Sequence, residues 1–309
     1  MKKLLLTACL CLFAVTAAAE SPKKSEAKPK KPAAKADPEA EAMAAAAAEF
    51  ESNLDYQRGR VELPGGIATL NIPDSFRYLR PEHAERLLVE GWGNPPGTKT
   101  LGMLVPSDVS PLSEEGWGVV ITYVEEGHVD DSDANGIDYD ELLKQMKKES
   151  AEDNKKREEQ GYQAIDVVGW ARPPHYEQAA HKLYWARELS VPGAPEHTLN
   201  YDIRVLGRKG VLSFNAVSGM SKLGDVEGAM KEVMSFADFN PGHRYADFDS
   251  KVDDVAAYGI GALVAGKVAA KAGFLKLLLG VILAGKKFVI LAVIGIGALI
   301  AKLVKGRSE

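Results

Sequence analysis

Alternation of apolar and polar residues marks out most of this chain's elements. Arg60-Val61-Glu62-Leu63 and Ile67 to Ile72 alternate around Pro64-Gly65-Gly66, which predicts a β-hairpin. Leu101 to Val105, Trp117 to Val124, Ala164 to Trp170, His181 to Val191, Leu199 to Leu206 and Gly210 to Ser218 read as further strands. Pro173-Pro174 breaks the pattern after the third of these, and Arg208-Lys209-Gly210 supplies a tight turn between the last two. Pro81 at a first helical turn, with Ala84, Leu87 and Leu88 on one side, predicts a short amphipathic helix that Gly91 stops. Asp138 and Glu141 form a capping box for a helix from Tyr139 to about Gln160, charged all round in its second half. Asp225 to Phe236 reads as a closing amphipathic helix. Strands in runs joined by tight turns predict an α+β fold, an antiparallel sheet with helices packed on one face.

The two ends follow other patterns. Met1-Lys2-Lys3, an apolar run from Leu4 to Val15 and small residues at Ala17-Ala18-Ala19 predict a signal peptide over residues 1–19. Residues 20–52 are rich in Lys, Ala, Pro and Glu and read as a low-complexity spacer, with helix propensity from Ala40 to Phe50. The globular domain is then 53–250, and 251–309 is an apolar tail with scattered lysines. A span needs about 20 apolar residues. Gly285 to Val304 supplies one, with Phe288, Leu291, Ile294 and Leu299 as its lipid-facing anchors. Lys267, Lys271 and Lys276 weaken a second span before it, because a lysine at mid-membrane is costly. A single span, however, leaves Lys271, Lys276, Lys286 and Lys287 outside, against the rule that cytoplasmic flanks are the richer in Lys and Arg. A transmembrane helix and a two-span hairpin turning at Lys286-Lys287 therefore both stand.

Charge narrows the function classes. The 309 residues carry 38 Lys and Arg against 43 Asp and Glu, a net charge of −5, which argues against the concentrated basic face of a nucleic-acid binder. Both cysteines, Cys9 and Cys11, fall in the predicted signal peptide, so the mature chain offers neither a disulfide nor a thiolate zinc site. The six histidines show no metal-binding spacing, and neither a nucleophile elbow nor a phosphate-binding loop occurs. Ser213, Ser218 and Ser221 lack a recognisable base partner. Asp131-Ser132-Asp133-Ala134-Asn135-Gly136 opens like a calcium loop, but its twelfth position is Leu142 instead of a bidentate Glu, so it reads as a helix-capping loop. Arg204, Arg208 and Lys209 make a basic strand end that reads as a solvated turn, with an anion or lipid-headgroup contact as the alternative. Trp92, Trp117, Trp170 and Trp185 are the candidate binding residues, for stacking a sugar or peptide; packing is the alternative for each. The aromatics of the turn Phe239 to Phe248 suit either a headgroup region or the domain edge.

Several segments recur together in one known family. LPGGIATLNIP, FRYL, WGNPP, LGMLVP, GWGVVITY, IDYDELL, VGWARPPHYE, KLYWARELS, LNYDIRVLGRKGVLSFNAV and the GHRYADF turn resemble the bacterial family of domain of unknown function 2167, over about Asp55 to Ile260. The resemblance implies membrane anchoring and carries a label of amylopullulanase regulation; it supplies no catalytic residue. The expectation is a membrane-anchored extracytoplasmic binding or assembly module, without catalysis or cofactor. Its partners would be the lipid bilayer and an envelope protein or glycan, not nucleic acid, with self-association through the tail as a further reading. The alternative is an envelope hydrolase using carboxylates that the fold gathers.

Overall fold

The computed structural model describes residues 38–266. The signal peptide, most of the spacer, and the tail from 267 with Phe288, Leu291, Ile294 and Leu299 lie outside the described residues. Among the described residues no helix is long and apolar enough to cross a membrane.

Among the described residues thirteen strands form: β1 (Tyr56–Gln57), β2 (Gly59–Glu62), β3 (Ala68–Ile72), β4 (Phe76–Leu79), β5 (Gly102–Pro106), β6 (Gly118–Val124), β7 (His128–Asp130), β8 (Asp166–Glu177), β9 (Lys182–Ser190), β10 (Thr198–Leu206), β11 (Val211–Gly219), β12 (Ala237–Phe239) and β13 (Val255–Gly259). The helices are α1 (Pro38–Ser52), α2 (Pro81–Arg86), α3 (Tyr139–Glu159), α4 (Leu223–Phe236) and α5 (Ile260–Ala265). Eight strands make one antiparallel sheet in the order β1-β4-β5-β6-β11-β10-β9-β8. A second antiparallel sheet has the order β12-β3-β2, and β13 pairs with β7 in parallel. The fold is α+β, with a large antiparallel sheet and helices.

Helices cover both faces of the large sheet, which corrects the one-face expectation. Leu199, Tyr201, Ile203 and Val205 of β10 share a cluster with Val226, Met230 and Val233 of α4 and with the small sheet. On the opposite face Leu79, Met103, Val105, Val120 and Val217 cluster with Ala84 of α2 and with Leu87 and Leu88 just beyond it. The reason lies in β6. Val119-Val120-Ile121 is apolar on both sides of the pleat, a pattern that only a strand buried on both faces supports. Helix α1 joins the second face through Ala47 and Phe50, and its Glu51 accepts from Arg77 at 3.2 Å. The last turn of the segment assigned above to the spacer therefore packs on the domain.

Local chemistry sets the helix ends. Asp138 Oδ1 accepts from the amides of Asp140 at 3.1 Å and Glu141 at 2.9 Å, starting α3 as its sequence predicts. The acidic loop before it caps a second helix. Asp133 accepts from Ile260 N at 2.9 Å and Gly261 N at 3.2 Å, the first turn of α5. Asp133 is thereby committed to backbone donors. Among the described residues no group of three or more His, Cys, Asp or Glu is placed to hold a metal ion.

β8 runs through Pro173-Pro174, where the sequence predicts a break. It lies at the sheet edge, so prolines cost it fewer ladder bonds, and its register with β9 shifts between Trp170 and Arg172 and again before His175.

The second face carries a buried polar band between two apolar clusters. One cluster is that of α2; the other holds Leu183, Trp185, Leu206 and Val211 with Ile260, Leu263 and Val264. The band is Arg187 of β9, Asn200, Asp202 and Arg204 of β10, Asn215 of β11 and Thr122 of β6, all buried. Arg187 Nη2 donates to Asp202 Oδ2 at 2.9 Å and to Asn200 Oδ1, and Asn200 Nδ2 donates to Asn215 Oδ1 at 3.1 Å. Arg204 Nη2 lies 3.0 Å from Asp202 Oδ1 as an ion pair. Arg204 is only 5% exposed, so the solvated basic turn read from the sequence is corrected. Arg208 and Lys209, one turn on, hold the carboxylate of Asp253 at 2.7 Å and 3.5 Å, and the Arg208 hydrogen bond draws the Asp253 pKa down to about 2.

Candidate functional site

The four tryptophans do not share a surface. Trp92 is buried and its Nε1 donates to Pro111 O at 2.9 Å. Trp117 lies in the first-face core, edge-on to Phe76 with ring centres 6.2 Å apart. Trp185 is buried on the second face with the Arg204 guanidinium 5.3 Å from its ring centre. Trp170 is half-buried near Trp185 and donates to Tyr139 O at 3.2 Å. The structure places them in three separate clusters, so no common stacking groove is built from them.

An open groove of about 430 Å³ lies between the bulged edge of the large sheet and α4, and of the four tryptophans Trp185 is among the residues that line it. Arg172, His175 and Glu177 enter from β8, Tyr184 from β9, Tyr201 and Ile203 from β10, and Glu227, Lys231 and Met234 from α4. The register shifts around Arg172 set its wall, because each one re-aims the side chains that follow. Arg172 pairs with Glu227 at 3.0 Å, and Lys231 lies 3.8 Å from the same carboxylate. Tyr184 Oη donates to Glu177 Oε2 at 3.3 Å. Burial first, and the nearby carboxylates next, push the Tyr184 and Tyr201 phenols up, so both stay neutral across the physiological range. The groove thus has an aromatic and aliphatic floor and a rim of charges that already have partners. That arrangement can stack and hydrogen-bond a ligand. It lacks a cysteine, and no serine is among the residues that line it.

A second constellation was invisible in the sequence. His128, Tyr245 and His181 stack in succession, with ring centres 4.2 Å and 3.9 Å apart, and Phe248 stacks on His128 at 4.0 Å. Tyr176 Oη donates to Asp131 Oδ2 at 2.7 Å and lies 3.3 Å from His181 Nδ1. His181 takes a left-handed backbone, with φ 49°. Tyr245 Oη donates to Val129 O at 2.9 Å, which pins the Gly-Pro turn to β7. Of the two readings offered for that turn's aromatics, packing at the domain edge is the one these contacts fit. The stack joins residues far apart in sequence, so no spacing could have announced it.

No curated protein matches the chain. Among solved structures it is similar to cyanobacterial PsbP (CyanoP) from Synechocystis sp. PCC 6803, with 12% identity and a TM-score of 0.33 over 60% of this chain and 94% of that one. It is also similar to the Saccharomyces cerevisiae Ran-binding protein Mog1p, with 10% identity and a TM-score of 0.32 over 64% of this chain and all of the other. Residues 55–297, reaching beyond the segments quoted from the sequence, match the family described as protein of unknown function (DUF2167), and the chain belongs to that family.

Proposed function

We propose that this protein is an extracytoplasmic binding or assembly module, held at the cytoplasmic membrane by its apolar tail, whose contact surface is the groove between β8 and α4. The observation that carries the reading is the groove itself, with Tyr184, Tyr201 and Met234 at its floor and Arg172, Glu227 and Lys231 at its rim. Neutral phenols beside apolar surface suit stacking of a sugar ring or an extended peptide, and the charged rim supplies orientation. The signal-peptide pattern and the run from Gly285 to Val304 support the location.

An envelope hydrolase is the second reading, because Glu177 and Glu227 both line the groove. Glu227 is shared by Arg172 and Lys231, and Glu177 accepts from Tyr184. Those partners favour holding a ligand over transferring a proton to it.

The test is site-specific photocrosslinking of the full-length chain in its native membranes. A crosslinker at Met234 should give a discrete adduct that Arg172→Ala weakens, while one at Lys147 on α3 should not. Equal yields from both positions, or none from Met234, would refute the groove as the contact surface.

A further inference from the structure

The buried band on the second face holds more positive charge than it neutralises. Arg187 and Arg204 both pair with Asp202, and among the described residues neither has another acidic partner. The side chains concerned are 9%, 5% and 1% exposed, so water screens them little. Two guanidinium groups against one carboxylate leave one positive charge over.

The donors tell the same story. Arg187 Nε, Arg204 Nη1 and Trp185 Nε1 are buried and have no acceptor among the described residues. Arginine and tryptophan side chains can only donate, so they cannot satisfy one another. Thr122 Oγ1 and Tyr258 Oη are buried, also without a hydrogen-bond partner among the described residues. An orphaned buried donor is costly, and an uncompensated buried charge costs more. Asp202 Oδ1 is likewise buried without a hydrogen-bond donor, its 3.0 Å contact to Arg204 being an ion pair only. Against that one carboxylate oxygen stand three orphaned donors and one surplus positive charge, so the band is short of an anionic acceptor.

Its geometry is already fixed. Asp202 holds both guanidinium groups, by a hydrogen bond from Arg187 Nη2 at 2.9 Å and an ion pair with Arg204 Nη2 at 3.0 Å, leaving Arg187 Nε and Arg204 Nη1 without an acceptor among the described residues. The Arg204 guanidinium stands 5.3 Å from the Trp185 ring centre, which keeps the Trp185 N–H in the same neighbourhood. Ser213 faces Arg204 directly across the β10–β11 ladder, and Thr122 is the next residue along that row.

We propose that this band is an enclosed site for one small oxyanion, of the phosphate or carboxylate class, held by the free edges of Arg187 and Arg204 and by Trp185. Guanidinium groups bind both classes through paired N–H bonds. Enclosure limits the ligand to a free ion or small acid, because a lipid headgroup or glycan would have to carry its remainder through the packed face. The site shares Trp185 with the lining of the groove beside α4, but its two arginines lie outside that lining, and it does not depend on the binding function proposed for the groove.

The experiment is a thermal-unfolding titration of the full-length chain in detergent at constant ionic strength. Chloride is exchanged for inorganic phosphate in one arm and for acetate in another. The expected result is a saturable rise in melting temperature in at least one arm, and the arm that responds names the class. Ser213→Asp places a carboxylate opposite Arg204 and should raise the melting temperature in chloride while weakening the oxyanion response at least about tenfold. Arg204→Gln should weaken the response to a similar degree. If both arms track chloride, the band is satisfied by water and the proposal falls. A saturable response that neither variant changes would place the ion elsewhere and overturn it equally.

Discussion

Asp202→Asn tests the energetics of the second face most sharply. The wild-type carboxylate is 1% exposed and bridges two guanidinium groups that are 9% and 5% exposed. The amide keeps an oxygen for one arginine and removes the only negative charge that either arginine is paired with among the described residues. Breaking a buried ion pair by removing one partner costs about 3–5 kcal/mol, mostly from the charge left behind. For a domain of this size each kcal/mol lowers the melting temperature by about 2–4 °C, so the expected fall is about 6–20 °C. The assay is thermal and urea unfolding of wild type and variant in chloride buffer. A triple variant, Arg187→Met with Asp202→Leu and Arg204→Met, separates the causes. Apolar replacement of a whole buried triad is often neutral or stabilising, so the triple variant should recover most of the loss. A fall of less than about 1 kcal/mol in Asp202→Asn would refute the reasoning. So would a triple variant as unstable as the single one.

Three other perturbations have defined outcomes. Asp133→Ala removes the cap on α5 and should cost about 0.5–2 kcal/mol locally, read as faster hydrogen exchange at the Ile260 and Gly261 amides with the β10 amides unchanged. His128 is held neutral in the fold chiefly by burial, against the opposite pull of Asp130, Asp131 and the nearby backbone of Gly207 and Arg208, so its pKa lies below the ordinary value of 6.5. The unfolded chain then binds the proton first, and stability from this group is complete above about pH 6.5 and lost as pH falls below it. His128→Phe should flatten that acid limb in unfolding measured from pH 8 to 5, and an unchanged slope would exclude His128 as its source. Gly102→Ala should destabilise strongly, because Gly102 has φ 127° and an added methyl would meet the Tyr78 ring; a melting temperature equal to wild type would contradict this.

Much of the fold was legible because its signals are local. The Arg208-Lys209-Gly210 turn between two apolar-alternating runs gave β10 and β11, and Asp138 gave the start of α3. β4 escaped notice, since four residues between Pro73 and Pro81 show too short a period to read. The second face escaped for another reason. Asn200, Asp202 and Arg204 alternate with Leu199, Tyr201 and Ile203 as a solvent face would, yet all three are buried. Alternation reports which residues share a side of a strand; whether water or protein covers that side depends on distant segments such as α5. The groove and the ring stack were illegible on the same principle. Tyr201 meets Glu227 and His128 meets Phe248 only after the sheet has closed.

The proposed location, an anchored domain with its groove outside the cell's inner compartment, can be tested with a single thiol. Both native cysteines fall within the predicted signal peptide, so Lys231→Cys gives a mature chain with a single thiol, at a side chain 76% exposed on the groove rim. A membrane-impermeant maleimide should label this thiol in cells whose cytoplasmic membrane is intact, on protein that stays with carbonate-washed membranes. Labelling only after that membrane is broken, or recovery of the full chain in the wash, would contradict it.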